Sequence, residues 1–329
     1  MVKRIVYIDA LKAFAIILVV IGHLSAMCGG GDNMIYEVIA SFHMPLFLFL
    51  SGFVLKRIPT SFKLLHKCFA LLLPMMTIGV ILTIFIHHHS VKDMCYDSFK
   101  GGYWYLYMLV VYYLLIQPTK FFINRTFLLG LYIVGVFCLL KGLAVFSPLD
   151  VKGLFSLDMM NGLWLYFAFG FLLAHSEKVK HFVFGNAILS LALVSFIPLF
   201  VLYHNQTLVR FAQILPFTAI LACVFIFKKF FAEENKFVKQ VSFIGQNTLD
   251  IYIYHYFLLP IIDINSLGLW GLRTGNYLLE LVMLLLLALL VAYISIAIGK
   301  IIRLSHILNI IVYGNIHSCR LKDIFHKNA

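Results

Sequence analysis

The chain has 329 residues, of which 62% are hydrophobic and only 12% charged, and its mean hydropathy is +0.97. Soluble domains are about 45–50% apolar and about 25% charged, so the composition excludes a soluble globular protein and points to an all-α, polytopic integral membrane protein. A net charge of +12 would suit a nucleic-acid binder, but basic residues in membrane proteins more often mark cytoplasmic loops, and their placement here favours that reading.

A hydrocarbon core of about 30 Å needs about 20 helical residues to cross it. Ten segments meet or approach that length: 5–27, 34–55, 68–87, 103–118, 126–146, 160–175, 182–203, 209–227, 243–262 and 276–302. The first contains "IDALKAFAIILVVIGH", an apolar run interrupted by Asp9, Lys12 and His23. Those charges, and the small residues that close the run, argue against a cleaved signal peptide. Lys12 and His23 are eleven residues apart, which is three turns plus about 20°, so they share one face about 16 Å apart along the axis. Lys12 is close enough to the cytoplasmic end to snorkel, and Asp9, at i, i+3, is its natural counter-ion. An ionisable residue deep in a bilayer normally faces a cavity or a partner, so His23 is either a packed, satisfied histidine or a reactive one.

The second segment, "EVIASFHMPLFLFLSGFVLKR", brings His43 to a depth like that of His23. Pro45 weakens the helix there, while Ser51 and Gly52 allow another helix to come close. A packing kink around a hydrogen-bonded histidine and a direct role for His43 both fit. Between the third and fourth segments, "HHHS" followed by Asp93, Cys95 and Asp97 has metal-ligand residue types without the spacing of a zinc motif; no metal is expected. The fourth segment opens with "GGYWYLYML", which reads either as an interfacial aromatic belt or as a platform for stacking sugars. In the ninth, "NTLDIYIYHYFLLP", Thr248, Tyr252 and His255 share a face and Asp250 adds a second acidic group. The six cysteines show no CxxC spacing, although Cys28 and Cys95 both fall on the outer side. Walker, GxSxG and dinucleotide motifs are absent, as are internal repeats and any separate soluble domain, so one membrane domain is expected over 1–329.

With the N-terminus in the cytoplasm, 19 of the 26 Lys and Arg fall on the inner side and six outside. The inner set includes Lys3 and Arg4, the group from Lys56 to Lys67, Lys178, Lys180, the group from Lys228 to Lys239, and the basic tail. This bias follows the positive-inside rule and predicts that both termini are cytoplasmic.

The segments "YIDALKAFAIILVVIGH", "SFHMPLFLFLSGFVLKR", "GYWYLYMLVVYY" and "NTLDIYIYHYFLL" resemble the acyltransferase 3 family of bacterial membrane O-acyltransferases, especially members that acetylate sugars. Their spread extends the resemblance over the whole chain. The family signature is a basic residue, normally Arg, then ten residues and a His; Lys12 and His23 stand at these positions. The resemblance implies a catalytic His23, a Lys12 that assists the acyl-CoA end of the site beside Asp9, ten core helices and a bacterial plasma-membrane location. It also implies acetyl-CoA as a cytoplasmic co-substrate, no bound cofactor and a cell-surface or lipid-linked saccharide as acceptor. Lys in place of Arg departs from the pattern, because an ammonium cannot make the bidentate contacts of a guanidinium.

Ester formation requires a hydroxyl made nucleophilic, a thioester held beside it and a group that stabilises the oxyanion. A neutral His23 can be the base, while Tyr252, His255 and Ser51 are the candidate oxyanion donors. Two other classes fit a membrane protein with buried polar groups. A secondary transporter or permease for a sugar or lipid-linked substrate would use them as ligands, but the paired broken helices of that class are missing from the sequence. A signalling or structural protein would make the Lys12–His23 stripe accidental.

Overall fold

In the computed structural model, residues 5–29, 34–205, 214–261 and 276–315 are described. The basic residues Lys3, Arg4, Arg210, Arg273, Arg320, Lys322 and Lys327, which enter the charge argument, lie outside this set. All regular elements among the described residues are helical, and they group into two compact units: Met1–Val54 with Tyr166–Ile294, and Leu55–Leu165 with Ser295–Ala329.

The first unit is arranged around α1 (Val6–Gly29), whose Asp9 lies in the first turn, where a carboxylate complements the helix dipole. Of its most apolar stretch, 83% is buried, against 17% in α11 (Asn186–His204); α1 is enclosed by protein while α11 presents apolar side chains outward. Its neighbours include α2 (Met34–Phe53), α12 (Ile214–Phe230), α13 (Lys236–Gln246) and α14 (Thr248–Leu258). Small residues set the closest approaches. A Cβ at Gly245 of α13 would overlap the Asp9 carbonyl of α1. Where α2 meets the Tyr166–His175 part of α9 (Leu157–His175), a Cβ at Gly52 would strike the Phe167 carbonyl, and one at Gly170 the Phe49 carbonyl. The close approach expected at Gly52 is therefore present.

In the second unit, α3 (Ser61–Pro74) passes through a π-helical turn at Met75–Gly79 into α4 (Val80–Phe85). Pro74 lacks an N–H for the helical ladder, and a wider turn follows it. The short α5 (Val91–Tyr96) starts on a capping box in which Ser90 and Asp93 exchange bonds, and those bonds hold the Asp93 carboxyl below its ordinary pKa. Asp97 accepts from the backbone N–H groups of Phe99 and Gly101. These two carboxylates of the histidine-rich stretch thus serve helix ends and turns. Nearby, the Lys100 ammonium donates to the carbonyls of Cys95, Asp97 and Gly153 at 2.7–2.8 Å. This ties α5 to α8 (Leu149–Phe155).

In the "GGYWYLYML" stretch Tyr103 and Tyr105 are buried in the core, so these two form neither a belt nor a sugar platform, while Trp104 and Tyr107 are half-buried. α6 (Trp104–Leu115) contributes Tyr112, whose hydroxyl donates to the Met160 carbonyl at 2.8 Å. Trp164 donates to the Ile133 carbonyl of α7 (Thr126–Phe146) at 3.0 Å.

Seven helices among the described residues are long and apolar enough to cross a membrane. The fourth, eighth and ninth expected segments differ from the sequence reading. The fourth is the 12-residue α6. The eighth is the 17-residue α12, which begins at Ile214 directly after residues outside the described set. The ninth is divided at Asn247, between α13 and α14. Asn247 leaves helical geometry at φ −110°, ψ 23°, and its side-chain amide donates back to the Phe243 carbonyl at 2.7 Å. Apolar residues flank the break closely, Phe243 and Ile244 before it and Leu249 and Ile251 after it, which is why the sequence reads as one span. The remaining helices are α10 (Glu177–Val183), α15 (Tyr277–Leu304) and α16 (His306–Tyr313).

Candidate functional site

α14 has 11 residues, a rise of about 16 Å, and continues into a 3-10 turn at Leu259–Ile261, where this stretch of described residues ends. All side chains from Asp250 to His255 are buried. Broken or short helices at membrane depth persist where surrounding protein satisfies their backbone, and such helices often carry the polar side chains of a site. In this chain α14 lies against α1.

His23 of α1 meets α14 through Tyr256. The Tyr256 hydroxyl and His23 Nε2 share a hydrogen bond of 3.0 Å, and their ring centroids are 4.9 Å apart. His255 lies on the same side, 5.4 Å from the His23 ring and 4.1 Å from the Tyr256 ring. Tyr252, one turn earlier, stands 5.9 Å from His255. His43 of α2 and His255 both lie near enough to His23 for their charges to interact with it. Three helices thus bring His23, His43, His255, Tyr252 and Tyr256 together. His23 remains partly exposed, while His255 is fully buried.

Hydrogen bonds determine which ring nitrogens carry protons. A carbonyl oxygen only accepts, so the contact between His255 Nδ1 and the Ile251 carbonyl at 3.0 Å makes Nδ1–H the donor. In a neutral ring this leaves a lone pair on Nε2, and that buried atom has no hydrogen-bond partner among the described residues. His43 Nδ1 is used in the same way by the Ile39 carbonyl at 2.8 Å. Neutral His255 therefore presents an acceptor to the cluster, whereas the sequence had suggested an oxyanion donor.

The other sequence candidates lie elsewhere. Ser51 donates to the Phe47 carbonyl of its own helix at 2.9 Å, eight residues and about 12 Å along α2 from His43. Lys12 and Asp9 form an ion pair of 3.6 Å, with the carboxylate side chain 7% exposed and the ammonium 28%. They sit where α13 crosses α1, about 16 Å from His23 along the axis. Tyr256 was missed because the tyrosines of α14 resemble interfacial residues. Its signal was its position four residues after Tyr252 and beside His255, on the face that α1 covers.

A helix cluster that holds imidazoles and phenols inside an apolar bundle can move a proton and orient a hydroxyl. Among the described residues, no group of three or more His, Cys, Asp or Glu side chains is arranged to hold a metal ion. Comparison with curated proteins and with solved structures found no significant match. The acyltransferase 3 family model, described as an acyltransferase domain, matches residues 5–297, a range that includes every residue of the cluster. The chain belongs to the acyltransferase 3 family and is a membrane acyltransferase.

Proposed function

We propose that the protein transfers an acetyl group from cytoplasmic acetyl-CoA to a hydroxyl of a cell-surface or lipid-linked saccharide, in a bacterial plasma membrane, with both termini cytoplasmic. The observation that carries this reading is the hydrogen bond between His23 and Tyr256, beside an acceptor nitrogen of His255 that lacks a partner among the described residues. A base and a hydroxyl that can relay a proton to it occur together. Because the Tyr256 hydroxyl sits on Nε2, the acceptor's proton reaches His23 through it: the phenol gives its proton to Nε2 as it takes the one from the saccharide. The saccharide oxygen attacks the thioester carbonyl, and the tetrahedral oxyanion then collapses with cleavage of the C–S bond. The CoA thiolate leaves with the proton from the imidazolium, so the ring returns to its neutral form. Tyr252 is the oxyanion donor best supported by position.

Purified protein should release thiol from acetyl-CoA in the presence of a suitable glycan, and the acetyl group should appear as an ester on that glycan. Absence of acyl transfer from every acyl-CoA supplied, across a panel of saccharides, would overturn the reading.

Lys12 is assigned to the donor end. Lys12→Ala should raise the apparent KM for acetyl-CoA, and Lys12→Arg should retain function. Removing Lys12 also deprives a nearly buried carboxylate of its ion partner, so Lys12→Ala should melt at a lower temperature in detergent. Asp9→Asn combined with Lys12→Met should recover stability, because a neutral pair avoids the desolvation penalty. A stable double variant with impaired donor use supports the assignment; one with parental kinetics ends it.

A further inference from the structure

A groove of about 380 Å³ runs between α3 and α16 in the second unit, walled by Phe62, Leu65, Phe69 and Leu73 on one side and Ile310 on the other. Its volume falls within the range of about 300–1,000 Å³ usual for small-molecule sites. The four α3 residues follow the i, i+3, i+4 spacing of a single helix face. Both walls turn apolar groups outward: Phe62, Leu65 and Phe69 are 70%, 57% and 59% exposed. On α16, Ile307 and Ile311 are exposed while the polar Asn309 is buried. An apolar surface of this kind, on a stretch (Ser61–Phe85) long and apolar enough to cross a membrane, suits contact with lipid rather than water. Gly314 ends α16 at φ 65°, and a Cβ there would come within 3.0 Å of the Leu73 side chain. The end of α16 therefore rests directly on α3 and closes one edge of the groove.

Cationic and proton-donating groups gather at the start of α3. Lys63, His66 and Lys67 all lie in its first two turns, and no Lys, Arg, His, Asp or Glu follows until His87. His66 borders the groove. Its Nδ1–H donates to the Phe62 carbonyl at 3.3 Å, which leaves Nε2 to meet a ligand. Lys63 stands one turn before His66 and is exposed, and the Lys67 ammonium lies over the Tyr113 ring at 5.4 Å. Residues 56–73 and 300–315 carry Lys56, Arg57, Lys63, Lys67, Lys300 and Arg303 but no Asp or Glu, so the surroundings attract anions. From Phe62 to Leu73 the helix rises about 16 Å, roughly half of a hydrocarbon core. A groove apolar along one leaflet's depth, with ammonium groups near one end, matches the shape of a phospholipid.

We infer that this groove binds an anionic phospholipid, with one acyl chain lying along α3 against α16 and the phosphate at Lys63, His66 and Lys67. Basic pockets between membrane helices take anionic headgroups. A zwitterionic headgroup brings its own cation and gains less from the two ammonium groups. A soluble phosphate gains nothing from the apolar walls. The groove lies within the second unit, and the inference uses neither the acyl donor nor the acceptor, so it stands apart from the transfer reaction proposed above.

The test titrates the full chain, delipidated in detergent, with phosphatidylglycerol and with phosphatidylcholine of the same acyl chains, and reads bound lipid by native mass spectrometry. Saturable binding of phosphatidylglycerol is expected, at least about fivefold tighter than that of phosphatidylcholine. The Lys63→Gln, Lys67→Gln double variant should bind phosphatidylglycerol at least about tenfold more weakly and phosphatidylcholine as before. Both lysines are exposed, unchanged thermal unfolding will confirm that this variant is folded, and Lys63→Arg with Lys67→Arg should retain the preference. Ile310→Trp, which fills the groove from the opposite wall, should weaken both lipids. Phosphatidylglycerol with a photoactivatable acyl chain should label residues 61–74 and 306–314. Equal affinity for the two lipids, binding insensitive to the double substitution, or labelling confined to other helices overturns the assignment. Displacement of the lipid by inorganic phosphate, or a dimer mass that excludes it, overturns the assignment as well.

Discussion

Replacing His23 with alanine should lower acyl transfer at least about 100-fold, the usual scale for a general base, while the protein remains inserted and folded. His23→Gln should be nearly as inactive: an amide fills similar space and can hydrogen-bond to Tyr256, but it cannot take a proton. Tyr256→Phe removes the hydroxyl that meets Nε2 and should lie between the parent and His23→Ala. Its loss should appear mainly in kcat, because the ring still packs against His255. Initial rates of acetyl transfer, normalised to folded protein, are the measurement. Transfer within a few-fold of the parent in either His23 variant would remove this residue from the mechanism.

The other large effect concerns folding. Gly52→Ala and Gly170→Ala should each destabilise the protein by about 1–3 kcal/mol, because each new methyl group meets a backbone carbonyl of the opposing helix. Backbone cannot rotate aside as a side chain can, so the pair of helices must separate. The two substitutions burden one contact from opposite sides. Their combined effect should therefore fall short of the sum, since helices already pushed apart by the first methyl have room for the second. Gly135→Ala in α7 is the control: its Cβ would meet nothing within 4 Å, and a helical alanine should be neutral or raise stability by up to about 1 kcal/mol. Thermal unfolding in detergent tests all four variants. Equal stability of Gly52→Ala and Gly135→Ala would show that the close approach does not limit packing.

Amino-acid order alone determined the class of protein, because ordered runs of apolar residues near bilayer length have few alternatives in water or lipid. It also singled out His23, since an imidazole in such a run requires a partner or a cavity, and Gly52, since a small residue beside a deep helix invites a neighbour. Each of these properties belongs to one segment and its solvent. The partners were another matter. That Gly52 packs against the Phe167 carbonyl and Gly170 against the Phe49 carbonyl, and that Tyr256 rather than Ser51 reaches the imidazole cluster, both depend on contacts between distant segments. The groove between α3 and α16 depends on them as well. Hydropathy registers how apolar a residue is and at what period, but not which neighbour it touches. Only the packed helices decided that α14 would lie beside α1 and bring Tyr256 and His255 to His23.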